Sequence, residues 1–308
     1  MKPPLISMLS ISKSIVIFAF ATLSIFTQPL LAVQKVGLAP NPVEDCKNFL
    51  GGLREGSNLQ RVSKEADEQL RADWEPSPLV EIEDVLVSRK VIFAREELQR
   101  RAPHAPMYRH LFLESAYPYL KQMIKDANLL KYNIANNNKP INIFVHSSYR
   151  SYADQCYTFL IKVREYTDLS RKAAKQKNES VSESELERRG QWMAARMSAI
   201  PGRTEHQLGT AVDLSTDENL YEIDFTFENT RAFVWLQQNA YKYGFVLSYT
   251  AGPSLQENDP YRYNKNTGYN YEPWHWRFIG VELATEFYQA QLQNKDLTIQ
   301  QFLRRYQQ

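Results

Sequence analysis

Two short stretches of this chain supply two histidines and two carboxylates that suit a catalytic metal centre. The first, at residues 204–213, reads TEHQLGTAVD, and the second, at residues 272–275, reads EPWH. A catalytic zinc ion usually takes three protein ligands of the His, Asp and Glu types and leaves one position open for water. A nearby carboxylate that is not a ligand can accept the proton of that water. We therefore expect a fold that brings both stretches to one cavity.

The spacing within the first stretch allows His206 and Asp213 to face the same cavity. Gly209 permits a turn after His206, so the chain between the two residues need not be a straight strand. In a strand at residues 210–214, Asp213 alternates with apolar neighbours that suit a core. A buried carboxylate without a partner is costly, and a metal ion would satisfy it. We predict His206, Asp213 and His275 as the metal ligands.

Glu272 is the remaining carboxylate of the set. It lies three residues before His275, about one turn, so both side chains can point to the same region. Pro273 favours an extended conformation at Glu272, which keeps the carboxylate near the metal without making it a ligand. We predict Glu272 as the general base. Taken alone, each stretch is more often structural than catalytic, and only their combination favours a metal centre.

Arg150 follows an apolar segment at residues 141–145, on a turn rich in hydroxyl side chains. Beside a zinc ion, an arginine can stabilise a developing oxyanion or hold a substrate carboxylate by a bidentate contact. For Arg150 taken by itself, an ordinary surface ion pair is the alternative. The other histidines, His104, His110 and His146, are predicted not to be ligands.

The first 32 residues have the order of a secretory signal. Lys2 and Lys13 precede an apolar segment at residues 15–26, and the sequence PLLA, which ends in the small residue Ala32, follows. The apolar segment is shorter than the roughly 20 residues that a spanning helix needs, which favours cleavage over a permanent anchor. We expect an exported protein of the periplasm or cell envelope that meets the membrane only through this segment.

Export would also set the charge and the redox state of the mature chain. Removal of the signal takes away two lysines and no acidic residue, so the formal charge falls from +2 to 0. A neutral protein has no electrostatic footprint for nucleic acid. Cys46 and Cys156 could form a disulfide in an oxidising compartment, worth about 4 kcal/mol on the chain-entropy model. A buried free Cys156 with an unpaired Cys46 is an equal alternative.

Hydrophobic periodicity predicts an α+β domain at residues 79–308, preceded by a polar extension at residues 33–78. Strands are predicted at residues 80–87, 141–145, 210–214, 245–249 and 276–279. Helices are predicted at residues 111–130, 153–166, 230–243 and 281–292. The charged stretch at residues 164–203 is predicted to be a helical insertion, with a capping box at Ser182 and Glu185 and an end before Pro201.

Four groups of residues carry a resemblance to a known family. They are SYRS at 148–151 with Gln155, EHQxGxAxD at 205–213, YGF at 243–245, and GYxYEPWHxRxxG at 268–280. This set resembles the VanY-type D-alanyl-D-alanine carboxypeptidases, which are zinc peptidases related to the D-Ala-D-Ala dipeptidases and the hedgehog signalling domain. The resemblance covers roughly residues 79–288. It implies an α+β fold in which helices flank a small, mainly antiparallel sheet.

The resemblance also implies roles for individual residues. His206, Asp213 and His275 would bind Zn2+, Glu272 would activate water, and Arg150 would stabilise the oxyanion or anchor substrate. Residues expected near the substrate are Gln155, Thr204, Tyr249 and Trp274. Three features depart from the family: Thr204 stands where Ser is usual, Ser248 stands where Arg is common, and the loop at residues 251–266 is long.

Together these features predict a zinc D,D-carboxypeptidase that acts on peptidoglycan stem peptides. An L,D-carboxypeptidase or an endopeptidase with the same site is the first alternative, because the sequence does not fix which bond lies over the metal. A non-catalytic, zinc-bearing module that binds the cell wall is the second. The presence of both Glu272 and Arg150 speaks against that module. The sequence gives no oligomeric state.

Overall fold

The computed structural model of this chain describes residues 75–101, 109–129, 140–252 and 261–306. The predicted signal, nearly all of the predicted extension, Cys46, His104 and part of the 251–266 loop lie outside these residues. Within the described ranges, every helix is too short or too polar to cross a membrane.

Antiparallel strands form two sheets in the described residues. The smaller sheet pairs β1 (Leu79–Glu81) with β2 (Leu111–Leu113). The larger sheet has four strands in the order β3–β4–β6–β5. These strands are β3 (Ile143–Ser147), β4 (Ala211–Thr216), β5 (Phe245–Leu247) and β6 (His275–Phe278). The small antiparallel sheets and the helices around them confirm the predicted α+β class.

Seven α-helices lie in the described residues, and several of them pack against the larger sheet. Their bounds are α1 (Arg89–Arg101), α2 (Tyr117–Leu129), α3 (Tyr152–Gln176), α4 (Glu183–Met197), α5 (Arg231–Asn239), α6 (Val281–Gln293) and α7 (Ile299–Leu303). Helices α2 and α5 share the main hydrophobic core with strands of the larger sheet. A second buried cluster joins α6 and α7 to Val246 of β5.

Side-chain alternation in β4 and β6 gives the larger sheet one apolar face and one polar face. Val212, Leu214 and Trp276 belong to the main core. Their neighbours along the same strands, Asp213 and His275, point to the opposite face because successive side chains of a strand alternate. The core therefore fixes which side chains of these strands are left for the site.

Two predicted elements near the start of the domain differ from the structure. The strand predicted at residues 80–87 ends at Glu81, and a 3-10 turn follows at Asp84–Leu86. The helix predicted at residues 111–130 begins only at Tyr117, because Leu111–Leu113 pairs with β1. Strand pairing thus overrides the helical spacing of residues 111–116.

Helices α3 and α4 form an antiparallel hairpin that contains the predicted insertion. The first helix begins at Tyr152 with a full capping box at Ser151 and Asp154, and it joins the helix predicted at residues 153–166 to the start of the predicted insertion. The second is capped by Ser182, whose side chain accepts a hydrogen bond from the backbone N–H of Glu185. The predicted return bond from Glu185 is missing because its carboxylate binds two arginines instead.

Cys156 lies on α3 and is fully buried. It is disulfide-bonded, which contradicts the alternative of a buried free thiol. The sequence contains one other cysteine, Cys46. Cys46 itself lies outside the described residues.

Gly190 allows α3 and α4 to approach closely. A Cβ atom on this residue would lie 2.8 Å from the backbone nitrogen of Thr167 and 2.9 Å from the carbonyl oxygen of Val163. Both are backbone atoms, so neither can rotate away. The contact between the two helices therefore depends on a residue without a side chain at this position.

We expect Gly190→Ala to lower the free energy of unfolding by about 1–3 kcal/mol, as overpacking of a close contact does. In an uncrowded helix the same change would stabilise by roughly 1 kcal/mol, because Ala is the better helix former. Urea unfolding with the disulfide intact measures the difference. Glu187→Ala on the exposed face of α4 is the matched control and should change little. A stabilised Gly190→Ala protein would contradict the close packing of the hairpin.

Candidate metal centre

The ring of His206 is oriented by the turn that precedes β4. Residues Glu205–Leu208 form one 3-10 turn, which Thr204 caps by accepting a hydrogen bond from the His206 backbone N–H. Gly209 ends the turn with a φ of 70°, a conformation that favours glycine. The His206 Nδ1–H donates to the carbonyl oxygen of Ser148 at 2.6 Å. This hydrogen bond leaves the lone pair of the ring on Nε2.

Asp213 and His275 face each other across the larger sheet. They are direct partners in the antiparallel pairing of β4 and β6, and Asp213 Oδ1 lies 3.0 Å from His275 Nδ1. The other oxygen, Oδ2, lies 3.3 Å from His206 Nε2. Only 13% of the Asp213 side chain is exposed, and both histidine side chains are buried. One carboxylate therefore faces two imidazole rings in a largely dry site.

These three side chains form a group that fits a metal ion. Their ligand atoms lie within 4.8 Å of one another. His206 Nε2 is buried and has no hydrogen-bond partner among the described residues, although it faces a carboxylate oxygen. A cation between the two atoms would satisfy both. Two imidazoles and one carboxylate are also a ligand set that Zn2+ takes in catalytic sites. The predicted ligands thus come together, and the predicted cofactor fits them.

The two histidines differ in charge although their rings are only 4.9 Å apart. Burial and the charge of Arg150 lower the pKa of His206 to about 4, so this ring is neutral at pH 7. Burial also acts to lower the pKa of His275, but its hydrogen bonds to Asp213 and Glu205 outweigh burial and raise the pKa to about 10. A metal ion bound at His275 Nδ1 would therefore displace a proton at neutral pH.

Glu272 lies beside the ligand group, where a general base is needed. Its Oε2 is 3.9 Å from His275 Nδ1, and 10% of its side chain is exposed. Two backbone hydrogen bonds fix its position: the His275 N–H donates to the Glu272 carbonyl, and the Glu272 N–H donates to the Tyr249 carbonyl. Burial raises the pKa of Glu272 to about 8, even though the charge of His275 acts to lower it. Such a carboxyl group can exchange a proton near neutral pH.

Arg150 reaches the ligand group from the turn after β3. Its Nη2 lies 3.9 Å from Asp213 Oδ2, which is too long for a hydrogen bond. Its Nε is buried and has no hydrogen-bond partner in the described part of the chain. The Arg150 backbone N–H donates to the His206 carbonyl, which ties the two turns together. The guanidinium therefore has N–H groups available for an oxygen of a substrate.

Two charged residues of the site were missed by sequence reasoning: Glu205, which is buried, and Arg277, whose side chain is 19% exposed. Glu205 Oε2 lies 3.0 Å from His275 Nε2, and Oε1 accepts a hydrogen bond from Arg277 Nη1 at 2.9 Å. Burial would raise the pKa of Glu205, but the charge of Arg277 and the His275 hydrogen bond lower it to about 2. Two signals were present: Glu205 adjoins His206, and Arg277 shares a strand face with His275.

Two of the predicted substrate contacts, Thr204 and Tyr249, lie close to the ligand group. Thr204 caps the turn that carries His206, as described above. The ring of Tyr249 stacks on the ring of His275, with 4.6 Å between their centroids. The side-chain amide of Gln155 donates to a hydroxyl and to a carbonyl in the segment that follows α4. The N–H groups of Gln155 therefore hold the hairpin in place, and its carbonyl oxygen accepts no hydrogen bond from the part of the chain that the structure describes.

Trp274, which was predicted to contact substrate, is buried in the structure. Its ring belongs to the main hydrophobic core and packs against Phe225, with 5.9 Å between their centroids. The reason is that neighbouring residues of an extended segment alternate in direction, so Trp274 points away from the face that carries His275.

His110 and His146 were predicted not to be metal ligands. The Nε2 atom of His110 lies 3.2 Å from the carbonyl oxygen of His146.

Comparison with known proteins places this site in a family. YodJ of Bacillus subtilis (strain 168) is 35% identical over 122 residues, which cover 40% of this chain and 39% of YodJ. A D-alanyl-D-alanine carboxypeptidase of Enterococcus faecalis (strain ATCC 700802 / V583) is 30% identical over 171 residues, which cover 56% of this chain and 49% of that protein. The matched part thus spans less than half the length of both relatives.

One solved structure and one family pattern also match this chain. The structure of the LD-carboxypeptidase LdcB is 26% identical, with a TM-score of 0.51, and the match covers 80% of this chain and 88% of LdcB. The pattern of the VanY family, described as D-alanyl-D-alanine carboxypeptidase, matches residues 117–281, more than half of the chain. This range contains every predicted ligand, Glu272 and Arg150. The chain belongs to the VanY family of D-alanyl-D-alanine carboxypeptidases.

Proposed function

We propose that this protein is a zinc-dependent D-alanyl-D-alanine carboxypeptidase that removes the terminal D-alanine from peptidoglycan stem peptides. The observation that carries the proposal is the buried group of His206, Asp213 and His275 with the Glu272 carboxylate beside it. Membership of the VanY family and the Enterococcus faecalis relative named as a D-alanyl-D-alanine carboxypeptidase support the same reaction.

Each side chain of the site has its own role in the proposed reaction. Zinc held by the three ligands would supply Lewis acidity, which polarises a scissile carbonyl and makes water more acidic. Glu272 accepts the proton of the attacking water and passes it to the nitrogen of the leaving D-alanine. Arg150 donates N–H groups to the oxygen on which negative charge develops. The products are free D-alanine and a stem peptide shortened by one residue.

We also propose that the protein works outside the cytoplasm, in the periplasm or cell envelope, where peptidoglycan lies. The order of basic, apolar and small residues in the first 32 positions supports export. The disulfide bond of Cys156 supports an oxidising compartment, because such bonds are rare in reducing ones.

An L,D-carboxypeptidase is the second candidate, and a specific observation favours it. LdcB, described as an LD-carboxypeptidase, matches this structure over most of both chains. The same three ligands, base and arginine would serve either reaction, since the two differ in the configuration of the residue before the scissile bond. An endopeptidase would use this site too, and a non-catalytic cell-wall module would use the metal without turnover.

A panel of defined substrates tests the proposed reaction. Zinc-loaded protein is incubated with a stem pentapeptide ending in D-Ala-D-Ala, with the corresponding tetrapeptide and with a cross-linked dimer, and products are identified by mass. We expect the pentapeptide to lose one alanine and the other two substrates to stay intact. Cleavage of the tetrapeptide instead would assign L,D-specificity, and cleavage of the cross-link would assign an endopeptidase. Zinc binding without any turnover would favour the binding module.

Glu272→Gln is expected to lower kcat by about 10²–10⁴-fold, because the amide cannot accept the proton of water. Zinc content should stay at the wild-type value, since Glu272 is not a predicted ligand. Release of D-alanine and metal analysis on the same preparation measure the two effects. Glu282→Gln, an exposed glutamate at the start of α6, is the control. Substantial turnover by Glu272→Gln would remove Glu272 from the role of base.

Arg150→Ala is expected to lower kcat by about 10²–10³-fold while KM changes little, because a donor to the developing charge acts mainly in the transition state. Steady-state kinetics on the pentapeptide separate the two parameters. Arg188→Ala, which removes an exposed arginine of the hairpin, should leave both unchanged. A large rise in KM with kcat preserved would instead identify Arg150 as the anchor of the substrate carboxylate.

A further inference from the structure

Glu205 is a buried carboxylate that the reaction described above does not use. Its side chain is 2% exposed, as is that of His275. A carboxylate this deep in a protein is costly unless it is paired and hydrogen-bonded. Its two oxygens have separate partners: Oε2 faces the imidazole of His275 at 3.0 Å, and Oε1 accepts from Arg277 at 2.9 Å.

The two ring nitrogens of His275 face different carboxylates on opposite sides of the ring. Nδ1 faces the ligand group, at 3.0 Å from Asp213 Oδ1. Nε2 faces Glu205 on the other side of the ring. An imidazole that donates its second N–H to a carboxylate is fixed in tautomer and orientation and is a more basic metal ligand. The contact with Glu205 therefore leaves Nδ1 as the nitrogen available to a metal.

We propose that Glu205 is a positioning residue of the metal centre, which acts through His275 and is itself held in place by a hydrogen bond from Arg277. The inference rests on the proposed metal centre but not on which peptide bond is cleaved. Glu205 and His206 are adjacent residues of the same 3-10 turn. One turn thus supplies a ligand directly, through His206, and supports a second ligand, through Glu205.

Arg277 has a defined part in this arrangement. It stands two residues after His275 on β6, so both side chains project from the same face of the strand. Its guanidinium offsets the charge of Glu205, which would otherwise add to the charge of Asp213 in one small region. His275, Glu205 and Arg277 thus form a continuous series of contacts that begins at the ligand group.

The test is a zinc titration of Glu205→Gln, measured by competition with a chromophoric chelator and without peptide substrate. We expect zinc affinity to fall about 10–100-fold, the usual effect of removing such a carboxylate. The visible spectrum of the cobalt-substituted protein should shift, because the field of the His275 ligand changes. A purely structural role for Glu205 would lower stability but leave this spectrum unchanged in the folded protein.

The matched control is Glu218→Gln, which also breaks a glutamate–arginine pair, with Arg231 at 3.2 Å, but contacts no histidine ligand. Its zinc affinity should match that of the wild type. If Glu205→Gln does not fold, Glu205→Asp decides, because it keeps the charge for Arg277 and loses the reach to His275. Zinc affinity within about threefold of wild type and an unchanged cobalt spectrum, in either folded variant, would overturn the proposal. A wild-type protein that binds no zinc would overturn the metal centre and this inference with it.

Discussion

The site depends on the antiparallel pairing of β4 with β6, which sets Asp213 opposite His275. Partners across such a pair have Cβ atoms only about 4.5–5.5 Å apart, so the two side chains meet without help from loops. The apolar residues Val212, Leu214 and Trp276 hold this register because they must stay in the core. A slip of one residue would send both site residues into the core and is therefore excluded by the same hydrophobic effect that folds the domain.

The carboxylates of the site, with the exception of Glu272, have close partners that can carry positive charge. Asp213 contacts both histidines, and Glu205 contacts His275 and Arg277. These contacts outweigh burial and hold the pKa of both carboxyl groups low. Within the described residues, Glu272 has no hydrogen-bond donor to its carboxylate, and burial raises its pKa to about 8. The difference separates carboxylates that hold structure or metal from one that can take up a proton.

The part of the site that the sequence predicts is the part encoded by local spacing. Alternation around Asp213 and the short distance from Glu272 to His275 are visible in a few consecutive residues. The contacts of Glu205 join three positions that only the fold brings together, so no local pattern reveals them. The sequence did not reveal that Trp274 lies in the core, because an aromatic residue in a strand suits either face. Residues 111–113 became a strand because of their partner in β1.

The α3–α4 hairpin leaves the site just after Arg150 and returns to it just before Thr204. Its base is fastened there, since the Gln155 amide on α3 donates to residues that follow α4. The geometry of the ligand group therefore depends on the base of the hairpin and not on its far end. The entropic cost of closing a longer connection between the helices grows slowly with the length of that connection. The connection between the two helices, at residues 177–182, is therefore the place where an insertion or a reporter peptide could be accommodated, independently of the chemistry at the base.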